Sequence, residues 1–273
     1  MDRRHFLRLA AGGVATATGT YWSPAGAKTK TPRSNVDYLK KMRDFDGDHL
    51  EDIMLEAREL PLLADIVAHL RRVQINIGHG NFYLLGFDDM LRFSRNYSRV
   101  KPFSVHEIEF MERVFYEEAV RYGFRGEKLL TRLTDNIPKR EVTKIPGTGQ
   151  YIAKGKSLAV CRKIQRAVGD DLILTSGVRG VVKQMHLFLN KALASDGNLS
   201  RASRSLAPPG YSYHAVGDFD VGQKGLGALN FTKTFATTKV FRRLISLGFT
   251  EIRYPPDNPF GVRFEPWHIK IIS

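Results

Sequence analysis

From Tyr38 to about Leu133 the apolar residues recur at helical spacing. Leu60, Leu63, Ile66, Val67 and Leu70 make one stripe, and Ile108, Met111, Val114 and Phe115 make another. Residues three and four apart share one face of a helix, so this half is predicted to be mainly α-helical. Gly78, Gly80 and Gly86 interrupt it, and Arg121-Tyr122-Gly123-Phe124-Arg125-Gly126 is predicted to end a helix with a glycine in the left-handed conformation. Around residues 138–156 the periodicity dissolves into Ile-Pro-Lys-Arg and Ile-Pro-Gly-Thr-Gly, which predicts a boundary or surface loop. The pattern then becomes mixed. Ser157 can cap a helix running to Val168 with Gly169 closing it, a short buried strand is expected at 171–175, and a second helix at about 180–194. A loop rich in Ser, Pro and Gly at 195–213 should lead into a strand at 218–221 and a helix near 236–247. Strands at 249–254 and 262–272 complete the expectation. The fold class this implies is α+β, a C-terminal antiparallel sheet with flanking helices behind a mainly helical N-terminal region.

The first residues change the picture of where the protein works. Arg3-Arg4-His5-Phe6-Leu7 opens a mildly apolar Ala/Gly/Thr stretch ending in Pro24-Ala25-Gly26-Ala27, the pattern of a twin-arginine export signal cleaved before Lys28. The expected organisation is a signal peptide at 1–27, a polar linker at 28–37, a helical region at 38–145 and a second domain at 146–273. Removing residues 1–27 takes away three arginines and Asp2, so the formal charge falls only from +14 to +12. A periplasmic protein this basic suits an anionic cell-wall polymer or lipid surface, while export disfavours nucleic acid as a partner. Cys161 is the single cysteine, which excludes an intrachain disulfide. No later apolar run approaches the ~20 residues that span a bilayer, so no transmembrane segment is expected in the mature protein.

Candidate chemistry concentrates near the C-terminus. Ser212-Tyr213-His214, Gly217-Asp218-Phe219-Asp220-Val221 and Glu265-Pro266-Trp267-His268 supply two imidazoles, a carboxylate pair and a further carboxylate three residues before a histidine. That is the inventory of a catalytic Zn²⁺ site with one coordination position left open. Asp218 and Asp220 lie two apart, so on a strand both point to one face, and either could reach a metal bound by His214. Glu265 and His268 would face opposite sides of a regular strand, and Pro266 supplies the bend that can turn them to one point.

In sequence order these fragments resemble the D-alanyl-D-alanine carboxypeptidases of the VanY type, within the lysostaphin, D-Ala-D-Ala peptidase and hedgehog superfamily. Ser176-Gly177-Val178-Arg179 with Gln184 is similar to that family's helix start. Pro209-Gly210 through His214 and Gly217 resembles its first metal-ligand turn, Asp220-Val221 its second ligand, and Glu265 to His268 its base and third ligand. The resemblance spans about residues 150–273. It implies a hedgehog-like peptidase fold in which His214, Asp220 and His268 bind zinc and Glu265 is the catalytic base. Arg179 would neutralise an oxyanion or substrate carboxylate, and Ser212, Gln184 and Trp267 would contact substrate. The implied partner is the peptide of peptidoglycan.

Two departures stand out. His214 and Asp220 are one residue closer than the family spaces them, which keeps Asp218 open as a ligand, and Val178 replaces the family's tyrosine. The expected activity is removal of a terminal D-amino acid. Cleavage of peptide crosslinks, or a non-catalytic zinc-containing wall-binding module, are the alternatives, and a retained Glu265 speaks against the last. Residues 149–157 imitate a phosphate-binding loop and 44–48 a calcium loop, each with misplaced glycines. His49, His69, His79, His106 and His186 lack ligand spacing.

Overall fold

A computed structural model describes residues 35–248 and 251–271, so the export signal expected at 1–27 lies outside the described residues. The helical half comprises α1 (Asn35–Arg43), α2 (Leu60–Ile77), α3 (His79–Phe82), α4 (Phe87–Asn96) and α5 (Val105–Tyr116). The stripe on α2 buries Leu63, Ile66, Val67, Leu70 and Val73, and Gly78 at φ 89° ends the helix. Ser104 starts α5 with a capping box, its Oγ accepting from Glu107 N while Glu107 Oε2 accepts from Ser104 N. The other Glu107 oxygen lies 2.8 Å from His69 Nδ1 on α2, and that imidazole stacks on Phe103. His69 is thus a core residue. Gly123 does adopt the left-handed conformation, but it closes a 3-10 turn at Ala119–Tyr122.

The C-terminal half holds β1 (Val142–Lys144), β2 (Tyr151–Ala153), α6 (Lys156–Val168), β3 (Leu172–Ser176), α7 (Val181–Leu193), α8 (Leu199–Ser205), β4 (Phe219–Gln223), α9 (Lys239–Ser246) and β5 (His268–Ile269). Strands β3-β4-β5 form an antiparallel sheet in that order, and β1 and β2 pair as a separate hairpin. Several expectations are corrected. The loop at 138–156 contains this hairpin. The loop at 195–213 contains α8, capped by Asn198, whose side chain accepts from Arg201 N. Ser157 is buried inside α6, which follows Gly155 without a side-chain cap. The last strands are far shorter than expected. Among the described residues they reduce to β5 and an isolated bridge of Ile252 to Ile269, because 262–267 runs as irregular chain and turn.

The described residues gather into one compact unit. Its largest apolar core spans the boundary expected near residue 146. Leu63, Leu70, Met90 and Phe115 from the first half pack with Val182, Met185, Phe188 and Leu189 of α7 and Ala202 of α8. A second core lies under the three-stranded sheet, around Ile164, Phe219, Val221, Leu244 and Trp267. The acidic stretch at 44–52 docks on α8 and α7. Arg204 donates to Asp52 at 2.7 Å with both side chains buried, and Lys191 pairs with Asp46 at 2.8 Å. Those carboxylates are therefore engaged by cations of the chain. Among the described residues no helix is long and apolar enough to cross a membrane.

Candidate active site

The sheet register assembles the site. Asp220 on central strand β4 stands opposite Ser176 on β3 and opposite His268 on β5, so three polar residues from distant parts of the chain fall in one row. The ladder shifts register between Leu174 and Ser176, which rotates the end of β3 as it runs into Gly177-Val178-Arg179.

His214 arrives by a different route. Gly210, at φ 90°, accepts from Leu129 N and Leu130 N, and a Cβ there would sit 2.8 Å from Leu130 O, so the tight turn requires glycine. Beyond it the chain enters a 3-10 turn at Tyr213–Ala215, between the loop expected at 195–213 and the strand β4. His214 Nδ1 lies 2.8 Å from Gly177 O, which can only accept, so Nδ1 carries the hydrogen and Nε2 presents a lone pair. Gly217, at φ 125°, lets the return to β4 pass over Ser157, whose Oγ would be 2.6 Å from any Cβ.

His268 is oriented from behind. Its Nε2 is 3.1 Å from Asp218 Oδ2, and Asp218 is fixed by Arg253 Nε at 2.8 Å, Arg253 Nη2 at 3.2 Å and Ile271 N at 2.8 Å. Asp218 precedes β4 and faces the same imidazole as Asp220, but on its far nitrogen. His268 Nδ1 points to Asp220 Oδ1 at 3.5 Å and Glu265 Oε2 at 3.4 Å. The bend expected at Pro266 exists as a turn, in which His268 N donates to Glu265 O.

Three ligand atoms therefore converge, one each from His214, Asp220 and His268, all within 4.8 Å of one another and all from buried residues. Asp220 Oδ1 is buried without a hydrogen-bond partner, and His214 Nε2 lies 3.3 Å from it. A metal cation would satisfy this orphaned carboxylate oxygen together with the imidazole lone pair beside it, so these residues fit a zinc ion by donor type and by convergence. Burial, reinforced by Arg179, lowers the His214 pKa to about 4. For His268 burial acts the same way but is outweighed by hydrogen bonds to Asp218 and Glu265 and by the Asp220 charge, and the pKa rises to about 9. Burial alone would raise both aspartates. His268 and Arg253 bring Asp218 down to about 2, and His214 and Arg179 hold Asp220 well below the usual carboxylate range.

Arg179 is committed to this cluster. Its Nη2 is 2.6 Å from Asp220 Oδ2 and 2.8 Å from His214 Nε2, Nε donates to Ser176 Oγ, and Nη1 approaches Gln184 Oε1 at 3.5 Å. Gln184 in turn donates to Ala207 O. The cluster opens into a cavity of about 320 Å³ whose lining includes Ser212, Glu265 and Trp267. All the residues singled out in the sequence thus meet here. Sequence reasoning missed Ser176 as an anchor of Arg179, Arg253 as the clamp on Asp218, and Tyr254, whose ring centroid is 5.0 Å from that of His268. An isolated Arg and Tyr carry no spacing signal that would have found them.

Residues 155–273 match the family model described as VanY, D-alanyl-D-alanine carboxypeptidase. Among solved structures the chain is similar to a mutant vancomycin-resistance D,D-pentapeptidase VanY from a VanB-type cassette in complex with Zn(II), at 26% identity, TM-score 0.40, over 50% of this chain and 83% of that one. It is similar to VanYB in complex with D-alanine-D-alanine at 27% identity and TM-score 0.40, over 50% and 81%. It is also similar to the LdcB LD-carboxypeptidase at 22% identity and TM-score 0.39, over 48% and 63%. No curated protein matches.

Proposed function

We propose that this chain, whose residues 155–273 match the family model of the VanY D-alanyl-D-alanine carboxypeptidases, is an exported zinc peptidase that trims the terminal D-amino acid from peptidoglycan stem peptides. The observation that carries the reading is the convergence of His214, Asp220 and His268 beside Glu265 in one cavity. Zinc held by the three residues supplies a Lewis acid that polarises a peptide carbonyl and acidifies water. The chain's own groups do the rest. Glu265, 3.4 Å from His268 Nδ1, takes the proton of the attacking water and returns it to the leaving amine. Arg179 offers a permanent positive charge where negative charge develops on the carbonyl oxygen. Asp218 and Arg253 hold the His268 ring in the orientation that turns Nδ1 inward, and Gly177 O does the same for His214. Trp267, buried against Phe231 and Arg263, gives the substrate a rigid apolar wall.

Trimming is preferred to crosslink cleavage because the matching family model is that of a carboxypeptidase. Export rests on the twin-arginine pattern at Arg3-Arg4 and Ala25 to Ala27. The formal charge of +12 that remains after removal of residues 1–27 would hold the protein to an anionic wall polymer. The test is digestion of purified muropeptides with and without zinc, read by mass spectrometry. Loss of one terminal alanine is expected, with Glu265→Gln slower by about 10²–10⁴-fold while still binding metal. Inert zinc-loaded protein, or a fully active variant, defeats the reading, and cleaved dimers replace it with the endopeptidase.

A further inference from the structure

Lys183 sits in the first turn of α7, where a cation opposes the helix dipole, and it neighbours a second cation, Arg179. It is half-buried, lines the same cavity as the metal-ligand cluster, and has no acidic partner among the described residues. Its Nζ rests 5.1 Å from the centroid of the Tyr83 ring and 5.8 Å from that of Phe82. Tyr83 is itself fixed, its carbonyl accepting from Gly180 N at 2.8 Å and its hydroxyl from Gln150 Nε2 at 2.9 Å. An ammonium held beside aromatic faces, in a helix turn that disfavours it and without a counter-ion, is costly in a fold unless something anionic visits. Burial and then the Arg179 charge lower its pKa to about 8, which still leaves it protonated at pH 7.

Arg179 is turned into the metal-ligand cluster, its Nε and Nη2 donating to Ser176, Asp220 and His214 and Nη1 facing Gln184, so its charge stands beside the metal ligands and Lys183 is the neighbouring cation that the cluster does not engage. We propose that Lys183, braced by Tyr83 of the helical half, is the specificity residue that receives the free C-terminal carboxylate of the peptide substrate, leaving Arg179 to the scissile carbonyl. The proposal rests on the peptidase reading above. It assigns the helical half a part in substrate choice, since that half supplies the aromatic wall around the ammonium. It also predicts rejection of internal peptide bonds: a chain continuing past this point would cover Lys183 without neutralising it.

The test uses the full-length mature protein carrying Glu265→Gln, so that peptide is bound and not consumed. Calorimetry compares an acetylated tripeptide ending in D-Ala-D-Ala with the same peptide as its C-terminal amide. A charge-assisted contact predicts that the acid binds about tenfold or more tighter than the amide. Lys183→Met should bring the acid down to the amide's affinity and leave the amide unchanged, while Lys183→Arg should restore most of the preference. Equal binding of acid and amide by the parent overturns the proposal, as does a Lys183→Met variant that weakens both peptides alike. If the wild type cleaves the acid yet shows no such preference, only the Lys183 assignment fails. If it neither binds nor cleaves either peptide, the peptidase reading fails and takes the assignment with it.

Discussion

Raising the pH from 6 to 8 should tighten zinc binding by about a hundredfold, and the reason lies in one imidazole. In the metal-free protein His214, with its pKa near 4, is already neutral across this range, and Asp220 is already ionised. His268, with its pKa near 9, still carries a proton on the nitrogen that must bind metal. Each unit of pH below about 9 therefore costs a factor of ten, or ~1.4 kcal/mol, and two units cost ~2.7 kcal/mol. Competition against a fluorescent zinc chelator at pH 6, 7 and 8, corrected for the chelator's own protonation, reads the slope. Calorimetry in two buffers of different ionisation enthalpy counts the protons, and about one should be released at pH 7. A flat affinity profile, or a proton count near zero, would mean that His268 is neutral before metal arrives and would refute the electrostatic account. The same shifts bear on metal-free stability. The raised His268 contributes fully below pH 6.5 and is lost as pH climbs through 9, while the depressed His214 costs stability as pH falls from 6.5 toward 4. Metal-free Tm should accordingly peak near pH 6.5 and fall on both sides.

Asp218→Asn keeps the volume but removes the charge that fixes His268 and answers Arg253, so zinc affinity should drop about 10–100-fold in chelator competition, with Tm lowered as well. An unchanged affinity would show that Asp218 does not orient the ligand. Leu70→Ala, at a fully buried position in the core shared by α2 and α7, should cost about 2–5 kcal/mol in urea unfolding. A loss under 1 kcal/mol would mean the two halves are less tightly joined than their packing indicates.

The sequence carried what depends on local period and on ordered motifs. Leu63, Ile66, Leu70 and Val73 repeat at three and four, and α2 forms where that stripe lies. Gly169 ends α6 and Gly123 ends its turn because both need positive φ. His214, Asp220, His268 and Glu265 were legible as chemistry, but which nitrogen of His268 faces inward depends on Asp218, Arg253 and Ile271, which meet only in three dimensions. The strands after Gly248 were misjudged because apolar residues there fill pockets from irregular chain: Tyr254 and Val262 pack with Phe124 and Tyr211 without a ladder. Likewise α8 was hidden by its serines, since Asn198 as cap and the buried Arg204–Asp52 pair hold it, and neither leaves a hydrophobic period.

The helix α7 is common property. Its first turn and the residues just before it serve the metal-ligand cluster, while its length is buried against helices that the family match does not include. Cutting the chain at residue 155 would strip Val182, Met185, Phe188 and Leu189 of their cover and present that face to water. The matched segment is therefore not a portable cassette. Insertions and grafts will be tolerated at loops of the helical half only where α2 and α4 keep their seat on α7, and drift in that half can retune the pocket without altering a single residue of the motif.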